Sequence, residues 1–221
     1  MVSCQAYTRL SDGCHFMSRN YYEGTLLAGV VALLAWSAWK PHDRFTWVLE
    51  VLPAIVGLVI VMVTRRRFPL SRLVLALIAL HMIVLLVGGH YTYAQVPLFD
   101  WLRDTFHLAR NHYDRVGHFA QGLVPALIAR EVLLRTTEIR QGRLVGFLAL
   151  CVAMAISAWY ELFEWGVAEI TGTAADAFLG TQGDVWDTQK DMGLACIGAL
   201  CATILLPRLH DQSIARLENR P

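Results

Sequence analysis

The sequence is poor in charged residues and lacks the short motifs of common soluble enzymes. Charged residues make up 17% of the 221 residues and hydrophobic residues 56%, whereas an ordinary soluble domain has about 25% charged residues. The formal net charge is +1, so no global basic field indicates nucleic acid as a partner. No serine elbow, P-loop or dinucleotide fingerprint is present. The composition therefore favours an integral membrane protein.

The cysteines show no pairing motif. The five cysteines, at positions 4, 14, 151, 196 and 201, form no CxxC pair, which argues against a disulfide framework and a zinc knuckle. Cys4, Cys14 and His15 are a weak candidate for a metal site. The first twenty residues are mostly polar, so we expect no cleavable signal peptide and expect the first apolar segment to remain as a helix.

Six segments approach the length of about 20 mostly apolar residues that a spanning helix needs. The sequence predicts an all-α polytopic bundle of six transmembrane helices, at about 24–39, 47–64, 70–90, 114–134, 144–170 and 187–206. The fourth segment is the least apolar, but its polar residues fall mostly on one face and at its ends. We expect three parts: a polar N-terminal segment, 1–20; the six-helix domain, 21–207; and a tail, 208–221.

The distribution of lysine and arginine predicts the orientation of the bundle. With six spans and a cytoplasmic N-terminus, thirteen of the nineteen basic residues lie on the cytoplasmic side and six on the other. The positive-inside rule then favours both termini in the cytoplasm. The long loops near 91–113 and 171–186 are predicted to face outward. The triple arginine at 65–67 is a topology signal that can contact anionic lipid.

Ionisable side chains recur near the predicted outer ends of three helices. They are Asp114, His118 and Gln121 on the fourth helix, Glu161 and Glu164 on the fifth, and Asp184, Asp187 and Asp191 leading into the sixth. Within each helix, spacings of three or four residues put these side chains on one face. We expect Asn111, His90 and Tyr93 in the same polar layer.

Such a layer needs a physical reason, because an acid within the membrane costs a few kcal/mol even on lenient scales. Two solutions are open: carboxylates that share protons, or a bound divalent cation with Asp, Glu and His ligands. The candidate metal ligands are Asp114, His118, Glu164, Asp187 and Asp191. The candidate catalytic residues are Glu161, as general base, and His118.

Each of these residues also has a structural interpretation. Asp114 is compatible with a simple dipole interaction at a helix start, and Asp187 with an N-cap. The two glutamates of the fifth helix are compatible with a hydrogen-bonded pair that holds it to its neighbours. Lys190 is typical of a solvated or ion-paired residue, and His81 of a packing histidine. Gly193 and Gly198, with nearby alanines, are typical of close helix packing in lipid.

Three motifs in the same order resemble one known family. They are NHYDRVGHFAQG at 111–122, WYELFEW at 159–165 and LGTQGDVWDTQKDM at 179–192. Together they resemble the bacterial YjdF-type inner-membrane proteins, a domain family of unknown function, over roughly residues 20 to 207. The layout is also distantly similar to VanZ-like membrane proteins, which are associated with tolerance to glycopeptide antibiotics. The resemblance implies a bacterial inner-membrane location and hints at envelope chemistry, but it brings no established reaction.

Three functional hypotheses follow. The first is a hydrolase or transferase, metal-dependent if an ion binds, acting from the outer face on a lipid-linked or envelope substrate. The second is a transporter whose acids carry protons or a cation; the confinement of the polar layer to one side argues against it. The third is a structural membrane protein whose polar cluster only clamps helices. The lipid bilayer is a partner under all three, and the oligomeric state stays open.

Overall fold

All of the secondary structure in the described part of the chain is helical. The computed structural model describes the backbone of residues 3–139, 141–172 and 176–218 and the side chains of 19–139, 141–172 and 178–218. Its α-helices are α1 (Ser3–Ser37), α2 (Arg44–Thr64), α3 (Arg72–Tyr91), α4 (Pro97–Phe106), α5 (Tyr113–Thr136), α6 (Arg143–Thr171), α7 (Asp176–Leu179), α8 (Asp187–Ile204) and α9 (Pro207–Glu218), and a 3-10 turn covers Tyr93–Gln95. Cys4, Cys14 and His15 lie outside the described side chains.

The predicted apolar segments overlap closely with six of these helices: α1, α2, α3, α5, α6 and α8. Three helices, α2, α3 and α6, are long and apolar enough to cross a membrane. Helices α8 and α9 meet at a 62° bend and count as a fourth crossing if the pair is one span. The all-α membrane architecture is therefore confirmed, while the count of six spans and the cytoplasmic termini stay predictions.

Two helices form where we expected a loop and a tail. Helix α4 begins with Pro97 at its first turn, and an ion pair of 2.7 Å joins Arg103 Nη1 to Asp100 Oδ1 on one face. Its apolar residues Leu98 and Trp101 are 61% and 59% exposed. A short helix with polar and apolar faces and no buried residue is typical of a membrane interface. Helix α9 follows α8 directly and packs on the bundle.

Helices α5 and α8 form the closest pair in the bundle, because glycines let their backbones touch. A Cβ atom on Gly122 would lie 1.8 Å from the carbonyl oxygen of Ala195, and one on Gly198 would lie 2.1 Å from that of Phe119. Ala195 and Ala199 are fully buried in the same contact. The close packing predicted for Gly198 is present, whereas a Cβ on Gly193 would meet open space. Helix α6 packs against both α5 and α8.

Hydrogen bonds fix the turn from α1 to α2 against α3. The Asp43 carboxylate caps α2 by accepting a hydrogen bond of 2.7 Å from the backbone N–H of Thr46. This bond to the backbone lowers the pKa of Asp43 below its usual 3.8. Ser37 Oγ donates to the carbonyl of Leu86 at 2.6 Å and accepts from Trp47 Nε1 at 2.9 Å.

The opposite end of the bundle, where Arg65–Arg67 join α2 to α3, is called the arginine end below. There Glu131 is fully buried and accepts hydrogen bonds from Ser71 N at 2.7 Å and Arg135 Nη1 at 2.8 Å. Its second oxygen lies 3.1 Å from Nε2 of the buried His210, on α9. This network ties α9 to α5 and to the start of α3, so the predicted tail is docked on the bundle.

Candidate metal centre

The site is centred on His118, which lies on α5 one helical turn after Asp114. The spacing of four residues puts both side chains on one face, and His118 Nε2 lies 3.2 Å from Asp114 Oδ1. His118 is 6% exposed. The imidazole is therefore almost completely removed from solvent while one of its nitrogens faces a carboxylate.

Two further helices bring carboxylates to the same imidazole. Glu161 Oε1, on α6, lies 3.6 Å from His118 Nδ1, and Asp191 Oδ2, on α8, lies 4.0 Å from His118 Nε2. Both acids are buried. The glycine contacts between α5 and α8 hold these helices close enough for Asp191 to reach the α5 residues. One histidine and three acids from three helices thus form a single cluster.

Gln121 fixes the protonation pattern of the imidazole. Its side-chain oxygen Oε1 lies 2.8 Å from His118 Nδ1. An amide oxygen only accepts hydrogen bonds, so this contact favours the tautomer that carries its proton on Nδ1. In the neutral imidazole this leaves a free lone pair on Nε2, the nitrogen that faces Asp114 and Asp191. Such an outer hydrogen bond is the usual device that orients a metal-binding histidine.

Three of these side chains have the spacing of a metal site. One ligand atom each from Asp114, His118 and Asp191 can be chosen so that all three lie within 4.8 Å of one another. Ligand atoms at about 2.0–2.6 Å from an ion lie at most about 5 Å apart. Among the described residues, Asp191 Oδ1 and Glu161 Oε1 are buried without a hydrogen-bond partner. Buried carboxylate oxygens normally have partners, so these two are free to take a ligand.

A second half of the cluster is built around Arg110, which is 5% exposed. Its guanidinium is ion-paired with Asp187 and lies 3.7 Å from Asp114 Oδ2. It also donates to the carbonyls of Gly180 at 3.1 Å and Thr181 at 3.2 Å. Arg110 therefore compensates the charge of Asp187 and pins the loop before α8. Arg110 lies just before the motif at 111–122, and nothing in the sequence spacing predicted its central position.

Asp184 lies at the surface of this half. Lys190 Nζ is 2.5 Å from its Oδ2, and Arg110 and Arg115 approach the same oxygen at 3.8 Å. The hydrogen bond from Lys190 lowers the pKa of Asp184 below its usual range, and a backbone hydrogen bond from Trp186 adds to the effect. Lys190 is ion-paired, which is one of the two interpretations its sequence position allowed. Asp184 is thus a charged, partly buried neighbour of the cluster.

The other two predicted ligands lie near the three-residue group but outside it. Glu164 follows Glu161 by one turn of α6 and is half-buried. It lies close enough for the charges of Glu161 and Asp191 to act on it. Asp187 is buried but engaged by Arg110. Of the five predicted ligands, the structure therefore brings Asp114, His118 and Asp191 together most closely.

Glu50 of α2 adds a further acid to this end of the bundle. Its side chain is 4% exposed, and the charges of Asp114 and Glu164 act on it. Ser157, one turn before Glu161, is fully buried, and its hydroxyl has no hydrogen-bond partner among the described residues.

Asn111 has a structural position next to the cluster. It is fully buried, its Nδ2 donates to Val96 O at 3.1 Å and to Asp100 Oδ1 at 3.0 Å, and its Oδ1 accepts from Tyr113 N at 3.0 Å. Gln182 bonds both its backbone N–H and its carbonyl. Asn111 therefore joins α4, the start of α5 and the loop before α8.

The two aromatic members of the predicted layer occupy different places. Tyr93 is buried and packs against α5, where a Cβ on Gly117 would lie 3.0 Å from its ring. His90 stacks on Trp36 at 4.3 Å between ring centroids, and its Nδ1 lies 3.0 Å from Ser37 O. Tyr93 thus borders the helix turn that carries His118, whereas His90 contacts α1 and its own neighbour Tyr91.

The fold and this cluster define a class: a helical membrane protein with a buried acid–histidine centre at one end of its bundle. The model of the family described as "Predicted membrane protein (DUF2238)" matches residues 22–212, and the chain belongs to this family. It is 50% identical over 184 residues to the "Inner membrane protein YjdF" of Escherichia coli (strain K12), covering 83% of this chain and 88% of that protein. No solved structure matches.

These findings confirm the YjdF-type resemblance, and with it the location in the bacterial inner membrane. The likeness to VanZ-like proteins stays a prediction.

Proposed function

We propose that Asp114, His118 and Asp191 bind a divalent cation, and that the loaded site hydrolyses or transfers a group on a lipid-linked or envelope substrate. The observation that carries the proposal is the spacing of these three side chains, all within 4.8 Å through one ligand atom each. The donor set of two carboxylates and one imidazole suits Zn²⁺, Mn²⁺ and related ions. Glu161 is the general base beside it.

The balance of charge supports a bound cation. On the His118 side of the cluster, Asp114, Glu161 and Asp191 surround a single imidazole, while Arg110 is engaged mainly by Asp187. Buried charges normally have partners or coordinate metals. Either a cation neutralises the carboxylates, or they retain protons. The unpartnered oxygens of Glu161 and Asp191 favour the cation, because a shared proton would bring hydrogen-bond partners with it.

Each residue of the site has a separate role in the proposed reaction. A cation at the site would polarise an oxygen of the substrate or activate a water molecule. Gln121 holds the imidazole with Nε2 free for the ion. Glu161, 3.6 Å from His118, is positioned to take a proton from water in the same space. Glu164 and Asp187 are proposed as additional acids next to the site, and Arg110 positions Asp187.

Access to the site depends on the proposed topology, which has six spans and both termini in the cytoplasm. The ends of α5, α6 and α8 that carry the cluster would then face outward, and the arginine end would face the cytoplasm, as the positive-inside rule favours. Single cysteines introduced into a variant without the native cysteines test this. A cysteine at position 104 should react with a membrane-impermeant thiol reagent in whole cells, whereas one at position 67 should react only after lysis.

Metal analysis of the purified protein tests the site directly. We expect about one equivalent of a divalent ion after incubation with Zn²⁺ or Mn²⁺ and desalting, and a loss of at least tenfold in affinity for Asp191→Asn and Asp114→Asn, because each removes a ligand. Asp104→Asn is the matched control, since Asp104 is 69% exposed and pairs only with Arg103 among the described residues. Equal metal content in Asp191→Asn and the unaltered protein would contradict the proposal.

A proton- or cation-coupled transporter is the second candidate, and His81 supports it. This histidine lies on α3 toward the middle of the bundle, its Nε2 is buried without a partner among the described residues, and the charge of His118 acts on it. His81 would continue a path from the cluster toward Glu131. Transport predicts a pH-dependent flux into vesicles that His81→Phe abolishes, whereas catalysis at the cluster predicts that this variant keeps its activity.

A further inference from the structure

A cavity lies far from the cluster, at the arginine end. It has a volume of about 730 Å³, within the usual range of about 300–1,000 Å³ for a ligand pocket. Helices α1 and α2 both pack on α3, and the cavity fills the space between them. Its wall is mainly apolar and includes Leu27 and Val30 of α1, Leu58 of α2, and Ile78 and Met82 of α3.

The mouth of the cavity carries uncompensated positive charge. Of its arginines, Arg19 is ion-paired with Glu23 and Arg135 lies 3.7 Å from Glu218. These pairs account for both acids that line the cavity. Arg65 and Arg66 also line it and are exposed, and within the described part of the chain neither makes an ion pair. The rim therefore presents two free guanidinium groups.

The depth of the cavity matches one leaflet of a bilayer. On α1 it extends from Arg19 to Val30, which at 1.5 Å per residue is about 16 Å along the helix. On α3 it extends from Leu75 to Met82, or about 10 Å, and Leu70, just before α3, continues the wall toward the arginines. The hydrocarbon core of a bilayer is about 30 Å thick, so half of it is about 15 Å. A ligand with a charged head at the arginines and an apolar tail along α3 would span one leaflet.

We propose that this cavity is a binding site for one anionic phospholipid of the adjoining leaflet. Its phosphate lies against Arg65 and Arg66, and an acyl chain follows the apolar wall toward Met82. Arginine suits this role because its planar fork donates two hydrogen bonds to a phosphate. A soluble phosphate would leave the apolar wall uncovered, and a lipid with a zwitterionic head would leave the arginine charge uncompensated.

Native mass spectrometry of the delipidated full chain tests the site. Phosphatidylglycerol, phosphatidylcholine with the same acyl chains, and inorganic phosphate are added separately. Because each basic residue near a membrane surface contributes about 1 kcal/mol to anionic lipid binding, the double variant R65Q/R66Q should bind phosphatidylglycerol about thirtyfold more weakly. The matched control R67Q/R143Q removes the same charge from the same end but from residues outside the cavity, and should keep binding.

A second pair of variants tests the apolar wall without changing charge. Gly24 and Gly29 both lie on α1, and a Cβ atom on either would meet nothing within 4 Å, but only Gly24 lines the cavity. We expect Gly24→Phe to reduce phosphatidylglycerol binding at least tenfold and Gly29→Phe to leave it unchanged. Two results would overturn the proposal: equal binding of phosphatidylglycerol and phosphatidylcholine, or equal binding by the paired variants in either set. Binding of inorganic phosphate as strong as that of the lipid would also refute it.

Discussion

The contact between α5 and α8 gives a sharp prediction, because it both packs the bundle and assembles the site. We predict that Gly198→Ala destabilises the protein and weakens divalent-metal binding together. A Cβ atom at this position would lie 2.1 Å from the carbonyl oxygen of Phe119 and 2.9 Å from the backbone nitrogen of Leu123. Since ordinary contacts begin at 3.4 Å, α8 would have to move away from α5 by about 1 Å, to judge from the close packing of interiors.

The magnitude follows from a comparison with Gly193→Ala on the same helix. A Cβ on Gly193 meets nothing within 4 Å. Both substitutions gain about 0.5–1 kcal/mol of helix propensity, so this contribution cancels in their difference. Overpacking typically costs about 1–3 kcal/mol. Gly198→Ala should therefore have a free energy of unfolding about 1–3 kcal/mol below that of Gly193→Ala.

Reversible unfolding in mixed detergent micelles, followed by circular dichroism, measures this difference. The metal titration is run on the same samples, because a shift of α8 by about 1 Å would separate Asp191 from His118, now 4.0 Å apart. Gly193→Ala should keep wild-type metal affinity. If both alanine variants prove equally stable, the backbone contact between α5 and α8 is absent. If only stability falls, this contact does not position the site.

Three further outcomes follow from individual side chains. Glu131→Ala should lower the free energy of unfolding by about 3–5 kcal/mol in the same assay, because it leaves the buried His210 and the partly buried Arg135 without this carboxylate. A loss below 1 kcal/mol would be inconsistent with the network. Asp43→Ala should lower the free energy of unfolding by about 0.5–2 kcal/mol at neutral pH. Hydrogen bonding lowers the pKa of Asp43 below 3.8 in the folded protein. The stability difference between this variant and the unaltered protein should therefore persist above pH 3.8 and disappear only as the pH falls through the lowered pKa. Gln121→Met should weaken metal binding about 10–100-fold by releasing His118, which calorimetry with Zn²⁺ would measure; unchanged affinity would show that Gln121 does not orient the ring.

Hydropathy predicted the positions of the long helices because each apolar segment carries its own signal. The same reasoning missed α4 and α9, which are short, amphipathic and rich in polar residues. Helix α4 has no buried residue, and α9 depends on a few contacts with distant residues, such as that of His210 with Glu131. A hydropathy profile along the sequence cannot detect a helix whose stability comes from such tertiary contacts.

Part of the site could be predicted from the sequence for a similar reason. The spacing of Asp114 and His118 fixes their common face before any tertiary structure is known. Sequence spacing does not determine which residue each acid of α8 contacts. Asp187 and Asp191 are also one turn apart, yet one contacts Arg110 and the other approaches His118. That division depends on where the loop carrying Arg110 folds, and no periodicity encodes it.

The two buried polar networks of this protein differ in a way that bears on function. At the arginine end, Glu131 accepts hydrogen bonds from Ser71 and Arg135 and pairs with His210, so both of its oxygens are engaged. A buried carboxylate engaged in this way helps to rigidify a bundle. At the other end, Glu161 and Asp191 each bury an oxygen that has no hydrogen-bond partner among the described residues. Had the cluster evolved only to clamp helices, its acids would be expected to resemble Glu131, since unpartnered buried oxygens weaken a clamp. The contrast favours a site whose carboxylates are kept free for a ligand.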